Sequence, residues 1–103
     1  MKYTLSRFTV KPEKVKEVRR ALAELACEIR RNDRRTLYLV FREERKSTFF
    51  TLVAFQDEAA WRRYAQSRHV DRFVKKLLPV CEGKPQFLEL RLFASSKNQW
   101  PLG

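Results

Sequence analysis

The run from Tyr3 to Val10 carries apolar residues at strand spacing, and Lys11-Pro12 stops it, because proline cannot donate to a ladder and restricts the residue before it. A helix follows at once. Pro12 suits its first turn, Glu13 favours the positive end of its dipole, and Val15, Val18, Leu22, Leu25 and Ile29 recur at three- and four-residue steps. Cys27 falls nearly opposite that stripe, a position for solvent or a subunit contact rather than the core. The helix fades in Arg30-Arg31-Asn32-Asp33, where the cations suit its negative end and Asn-Asp is turn chemistry.

Thr36 to Arg42 and Thr48 to Phe55 are β-branched and aromatic runs split by the charged Glu43-Glu44-Arg45-Lys46-Ser47, which predicts a hairpin. Asp57 is placed to cap a helix over Glu58 to Ser67 with Trp61, Tyr64 and Ala65 on one face. A second helical piece spans His69 to Leu78, turns Val70, Phe73, Val74 and Leu77 inward, and should end at Pro79. After the turn Glu82-Gly83-Lys84-Pro85, Gln86 to Phe93 alternates Leu88, Leu90 and Leu92 against Phe87, Glu89, Arg91 and Phe93, the mark of a last strand.

The order β-α-β-β-α-α-β predicts an α+β fold of the ferredoxin-like, split βαβ kind. Right-handed crossovers place the helices on one face of a four-stranded antiparallel sheet. Yet the strands are apolar on both faces: Leu37, Leu39 and Phe41 oppose Tyr38 and Val40, and Phe49, Val53 and Phe55 oppose Phe50, Leu52 and Ala54. Left in water, the uncovered face would be a patch larger than most monomers tolerate. A homodimer closing sheet on sheet, the dimeric α/β barrel, is the expected solution. Thr4, Ser6, Arg7 and Thr51 are read as polar members of that second face, making the interface partly wet. The domain is taken to run over residues 1–93, with 94–103 as a tail whose Trp100 and Leu102 suit either a disordered end or an arm on the partner subunit.

Composition narrows the function. A chain of 103 residues fits one domain, and no apolar run approaches the roughly 18–20 residues that cross a bilayer, so a soluble cytoplasmic protein without membrane contact is expected. Two cysteines without metal-ligand spacing suggest reduced thiols and no metal site, and two glycines leave no room for a glycine-rich phosphate cradle. A net charge of +11 raises nucleic acid as a partner. Most of the cations are interspersed with carboxylates on predicted outer helix faces, and no strand motif of the RNA-binding kind occurs, which disfavours that partner; the charge itself keeps it open. The densest cationic stretch is Arg30, Arg31, Arg34 and Arg35 around a turn, the place for a polyanion.

The opening YTLSRFTVKPEK, the hairpin with Tyr38 and Phe41-Arg42, and above all FQDEAAWRRYAQSRHVDRF at Phe55 to Phe73 resemble the antibiotic biosynthesis monooxygenase (ABM) or quinol monooxygenase-like family, over roughly Lys2 to Phe93. That family's pattern usually has Trp where Phe55 stands and a Gly-containing turn at Asp33-Arg34-Arg35. The resemblance implies the dimeric barrel and an oxygenase that needs no cofactor, neither metal nor flavin, and acts on a small aromatic substrate such as a quinol or anthrone. Relatives that bind and degrade haem are a weaker match, since His69 does not clearly fall at their haem-ligating position.

Such chemistry asks for a base and an anion stabiliser in a largely apolar pocket. His69, the single histidine, is the candidate base. Trp61, Tyr64, Tyr38 and Phe73 are candidate pocket aromatics, set against the plainer role of core residues. Arg7 and Arg91, within apolar strands, need a partner such as Glu89 or a bound phenolate. Two other readings stand beside the oxygenase: a non-catalytic homodimer that binds a small molecule, and a polyanion binder using the arginine-rich turn.

Overall fold

Four strands and three helices are laid down in the expected order in the computed structural model, which describes residues 1–96. They are β1 (Lys2–Thr9), α1 (Val15–Asn32, entered through a 3-10 turn at Pro12–Lys14), β2 (Leu37–Arg42), β3 (Thr48–Phe55), α2 (Glu58–Ala65), α3 (Arg68–Leu77, followed by a 3-10 turn at Leu78–Val80) and β4 (Gln86–Leu90). The sheet order is β2-β3-β1-β4 with every neighbouring pair antiparallel, the split βαβ topology. Among the described residues, no helix is long and apolar enough to cross a membrane.

Local chemistry explains the helix boundaries. The Asp57 carboxylate accepts the Ala60 N–H at 2.8 Å and so caps α2 as expected. Ser67 differs from expectation: instead of closing α2 it caps α3, its hydroxyl donating to the Tyr64 carbonyl at 2.7 Å and accepting from the Val70 N–H at 3.4 Å. α2 therefore stops at Ala65, and the chain bends between the two helices. Asp57→Ala removes an acceptor that no neighbour replaces, and it should cost about 1 kcal/mol in chemical denaturation. An unchanged midpoint would mean that the cap contributes nothing.

The last strand is shorter than its alternation suggests. The β1–β4 ladder ends at the pair Tyr3 and Leu90, one residue inside the start of β1 at Lys2, and Arg91 to Phe93 leave the sheet. Phe93 is fully exposed. The proposed arm with Trp100 and Leu102 lies outside the described residues.

Register decides which residues share a face. Thr4 opposes Val53, Ser6 opposes Thr51 and Phe8 opposes Phe49, while Tyr38 lies across from Val53, and Glu89 and Phe87 from Thr4 and Ser6. This set lies beneath the helices. Phe8 and Phe49 pack there with Val18, Leu22, Leu77 and Val80, and the rings of Phe8 and Phe49 stack at 5.8 Å. A second cluster joins Val53, Phe55 and Ala60 to Tyr38, Trp61 and Tyr64. Between the two clusters the sheet presents only Thr4, Ser6 and Thr51, too small to reach the helices, and the fold is hollow at that point.

The placement of those three residues corrects the sequence reading, which had put them on the second face. Of that group only Arg7 points away from the helices, in register with Phe50. The face away from the helices instead carries an unbroken row, Leu39, Leu52, Leu5 and Leu88, paired in sequence across all four strands.

Candidate functional site

The hollow is a cavity of about 480 Å³ between the sheet and α2 and α3. Thr4, Ser6 and Thr51 form its floor, Tyr38 one wall, and Trp61, Tyr64, Val70 and Phe73 its roof. It opens at the β4 edge, where the lining residues Phe87 and Glu89 are exposed. A volume of this size falls in the range of small-molecule sites, and the lining is mainly aromatic and aliphatic with a few polar groups.

Those polar groups are of three kinds. Ser6 and Thr51 hydroxyls hydrogen-bond to each other across the β1/β3 pair, which ties down the floor. Tyr38 and Tyr64 supply phenols. Burial, and then the neighbouring Tyr64, push the Tyr38 hydroxyl far above its ordinary value; burial alone pushes Tyr64 up to about 12. Both stay protonated at any physiological pH, and among the described residues neither phenol has a hydrogen-bond partner. They are two neutral donors available to a ligand oxygen. Phe55, wholly buried, backs Tyr64 with ring centroids 5.1 Å apart.

The third group is ionic and sits at the mouth. The Lys2 ammonium lies 3.3 Å from Glu89, 3.4 Å from Glu58 and 4.3 Å from the centroid of the Trp61 ring. Burial acts to lower its pKa, but hydrogen bonds to Glu89 and Glu58 together with their charges outweigh this and raise it. One cation thus joins the first strand, the last strand and the start of α2, with Trp61 beneath it.

The four aromatics expected from the sequence, Tyr38, Trp61, Tyr64 and Phe73, all come together here. His69, Arg7 and Arg91 do not. His69 precedes Val70 by one residue and is therefore turned about 100° around α3. It lines a groove between α1 and α3 with Glu24, Glu28, Arg72 and Lys76, and a second depression shared with Tyr64, and is not among the residues that line the cavity. Arg7 is exposed on the opposite sheet face, 5.9 Å from the Phe50 ring centroid. Arg91 is exposed beyond the end of β4. Glu89, the carboxylate expected to meet one of these arginines, is held by Lys2 instead.

Lys2, Glu58, Ser6 and Thr51 were missed as site residues, and the signal for the hydroxyls lay in strand parity: Thr4, Ser6 and Phe8 must share a face. No group of three or more His, Cys, Asp or Glu among the described residues is arranged to hold a metal ion. Cys27 is exposed, as its place on the helical wheel implies, and Cys81 is half-buried; both are free thiols.

The family model described as antibiotic biosynthesis monooxygenase matches residues 1–76. Among solved structures, one described as an antibiotic biosynthesis monooxygenase superposes with a TM-score of 0.81 at 20% identity, covering 91% of this chain and 100% of the other. A protein from Mycobacterium tuberculosis gives 0.83 at 12% identity, covering 93% and 98%. A conserved protein from Methanosarcina mazei gives 0.78 at 22% identity, covering 87% and 90%. At such identities the likeness to these structures is one of fold. No curated protein matches the sequence.

Proposed function

Since the chain belongs to the antibiotic biosynthesis monooxygenase family, we propose that it oxidises a small quinol- or anthrone-like aromatic with O₂ in the cavity beneath α2 and α3. The observation that carries this reading is the pair of phenols, Tyr38 and Tyr64, set without a hydrogen-bond partner among the described residues in an aromatic-lined cavity, where burial raises the pKa of both. An electron-rich aromatic must lose a proton before it can reduce O₂, and the resulting anion needs hydrogen-bond donors that are already in place. Two phenols provide them without adding charge to the site. Glu89, a lining carboxylate at the mouth, is the acceptor of the proton in this reading.

For an anthrone the balance is simple. The ring CH₂ and O₂ become a ring C=O and water, the substrate supplying all the electrons, so the reaction calls for no metal or flavin. The protein's part is to bind a flat ring among Trp61, Phe73 and Tyr38, and to hold the anion's oxygen. We place the protein in the cytoplasm, a compartment that suits its two unpaired thiols. It works there as a homodimer closed over the leucine row of the open sheet face.

The test is oxygen uptake by purified, metal-free protein across a panel of anthrones and hydroquinones. Tyr38→Phe and Tyr64→Phe should each lower kcat by about a hundredfold, the usual loss for one preorganised donor. His69→Ala should leave the rate within about twofold, because the side chain is outside the cavity. No uptake with any substrate overturns the oxygenase. Tight ligand binding without uptake would leave a non-catalytic binder.

A further inference from the structure

Outside the cavity the structure places six arginines at one end of the fold, on segments that the sequence only partly connects. Arg30 and Arg31 lie in the last turn of α1, Arg34 and Arg35 in the turn that follows, Arg63 near the end of α2, and Arg68 is the first residue of α3. All six are exposed. Two contacts draw the segments together: Arg63 reaches Asp33 at 4.0 Å, and the Arg35 guanidinium donates to the Gln56 side chain at 3.1 Å. Between these segments lies a depression of about 250 Å³, lined by Asn32, Asp33, Arg63, Tyr64, Ser67 and His69.

The local carboxylates do not neutralise the cluster. Glu28 pairs with Arg31 at 3.7 Å. Asp33 is occupied in holding the turn, accepting the Arg35 backbone N–H at 3.1 Å and the Thr36 hydroxyl at 2.8 Å, which leaves Arg63 a marginal contact. Among the described residues, Arg30, Arg34 and Arg68 have no ion pair. An uncompensated cluster of this kind repels itself, and its ordinary counterpart is a polyanion.

We propose that this cluster is a docking surface for the phosphate backbone of double-stranded nucleic acid, gripped without regard to sequence. Three features select that partner. The cations are arginines, whose planar donor forks match phosphate oxygens. None of the large exposed apolar side chains among the described residues, such as Phe41, Leu78, Phe87 and Phe93, belongs to these segments, so a bilayer would find nothing here to insert. The two rings that line the depression, Tyr64 and His69, are both half-buried, so neither stands out as a platform on which single-stranded bases stack. The surface belongs to the helical side and stays free when the open sheet face is covered.

The experiment is fluorescence anisotropy with a labelled random-sequence duplex of about 20 base pairs over a salt series. The wild-type log K should fall with log salt at a slope of about −3 to −5, as expected for several displaced counterions. Arg30→Gln/Arg34→Gln/Arg68→Gln should flatten that slope by about 3 and weaken low-salt binding at least about tenfold. A control removing three exposed cations elsewhere, Lys11→Gln/Lys84→Gln/Arg91→Gln, should stay within about twofold. Equal losses in the two variants, no duplex binding at low salt, or equal binding to phosphatidylserine vesicles would each overturn the proposal. Melting temperatures of both variants exclude unfolding as the cause of any loss.

Discussion

Phe55→Ala is expected to cost about 3–5 kcal/mol, the largest loss of stability from any single side chain discussed above. Phe55 ends β3 with no exposed surface, inside the cluster of Val53 and Ala60, and its ring backs that of Tyr64. Truncation removes the apolar area and leaves a void that Ala60, already small and buried, cannot fill. At roughly 4–8 °C per kcal/mol for a domain of this size, melting should fall by at least about 12 °C. The same change takes away the wall that holds Tyr64 in the cavity, so ligand affinity should drop even at temperatures where the variant is folded. Phe55→Trp, which restores the residue usual in the resembled pattern, has to fit a larger ring into a filled site and should cost about 1–3 kcal/mol. If Phe55→Ala melts within a few degrees of the parent, the second cluster does not hold the sheet to α2.

Leu52→Glu is expected to convert the proposed dimer into a folded monomer. Leu52 sits in the middle of the open face, opposite Leu5 on one side and Leu39 on the other, and it is half-buried in the single chain. A two-fold interface built on this row brings the residue near its own copy, so one substitution introduces two facing carboxylates in an apolar seam. An unpaired buried charge typically costs several kcal/mol, enough to weaken association by at least about a thousandfold. Sedimentation equilibrium of parent and variant over a concentration series measures this, and circular dichroism checks that the fold persists. A parent that sediments as a monomer throughout would end the dimer proposal. An unchanged dimer in the variant would move the interface to another face.

The two tests probe different faces of the same sheet. Hydrophobic surplus in the strands pointed to two buried faces from the start, and the pairing register now assigns the residues: Phe8, Phe49, Val53 and Phe55 to the inner face, the leucine row to the outer. Cavity and proposed interface are thus separated by one layer of backbone. Thr4, Ser6 and Thr51 acquire a purpose in that arrangement. Small hydroxyl residues beneath the helices keep open the space that larger apolar residues close on either side of them.

Sequence alone determined the order and type of the elements. Helical spacing from Val15 to Ile29, the β-branched and aromatic run Thr48 to Phe55, and the Asp57 cap are local signals, and local hydrogen bonding obeyed them: β3 and α1 lie where the pattern puts them, and Asp57 caps α2. The inward faces of Trp61, Tyr64 and Phe73 also follow from the helical period, whereas the side of β2 that brings Tyr38 to them does not. Tertiary structure decided the rest. Which strand face meets the helices depends on pairing between distant segments, and a shift of one residue exchanges the faces, so sequence alone does not fix the side on which Thr4, Ser6 and Thr51 lie. The length of β4 depended on how far its ladder with the distant β1 extends, and the groove that His69 lines on the packing of α3 against α1. Lys2 reaches Glu58, Glu89 and Trp61 only because three elements remote in sequence end at one corner of the fold, a convergence that no local period encodes.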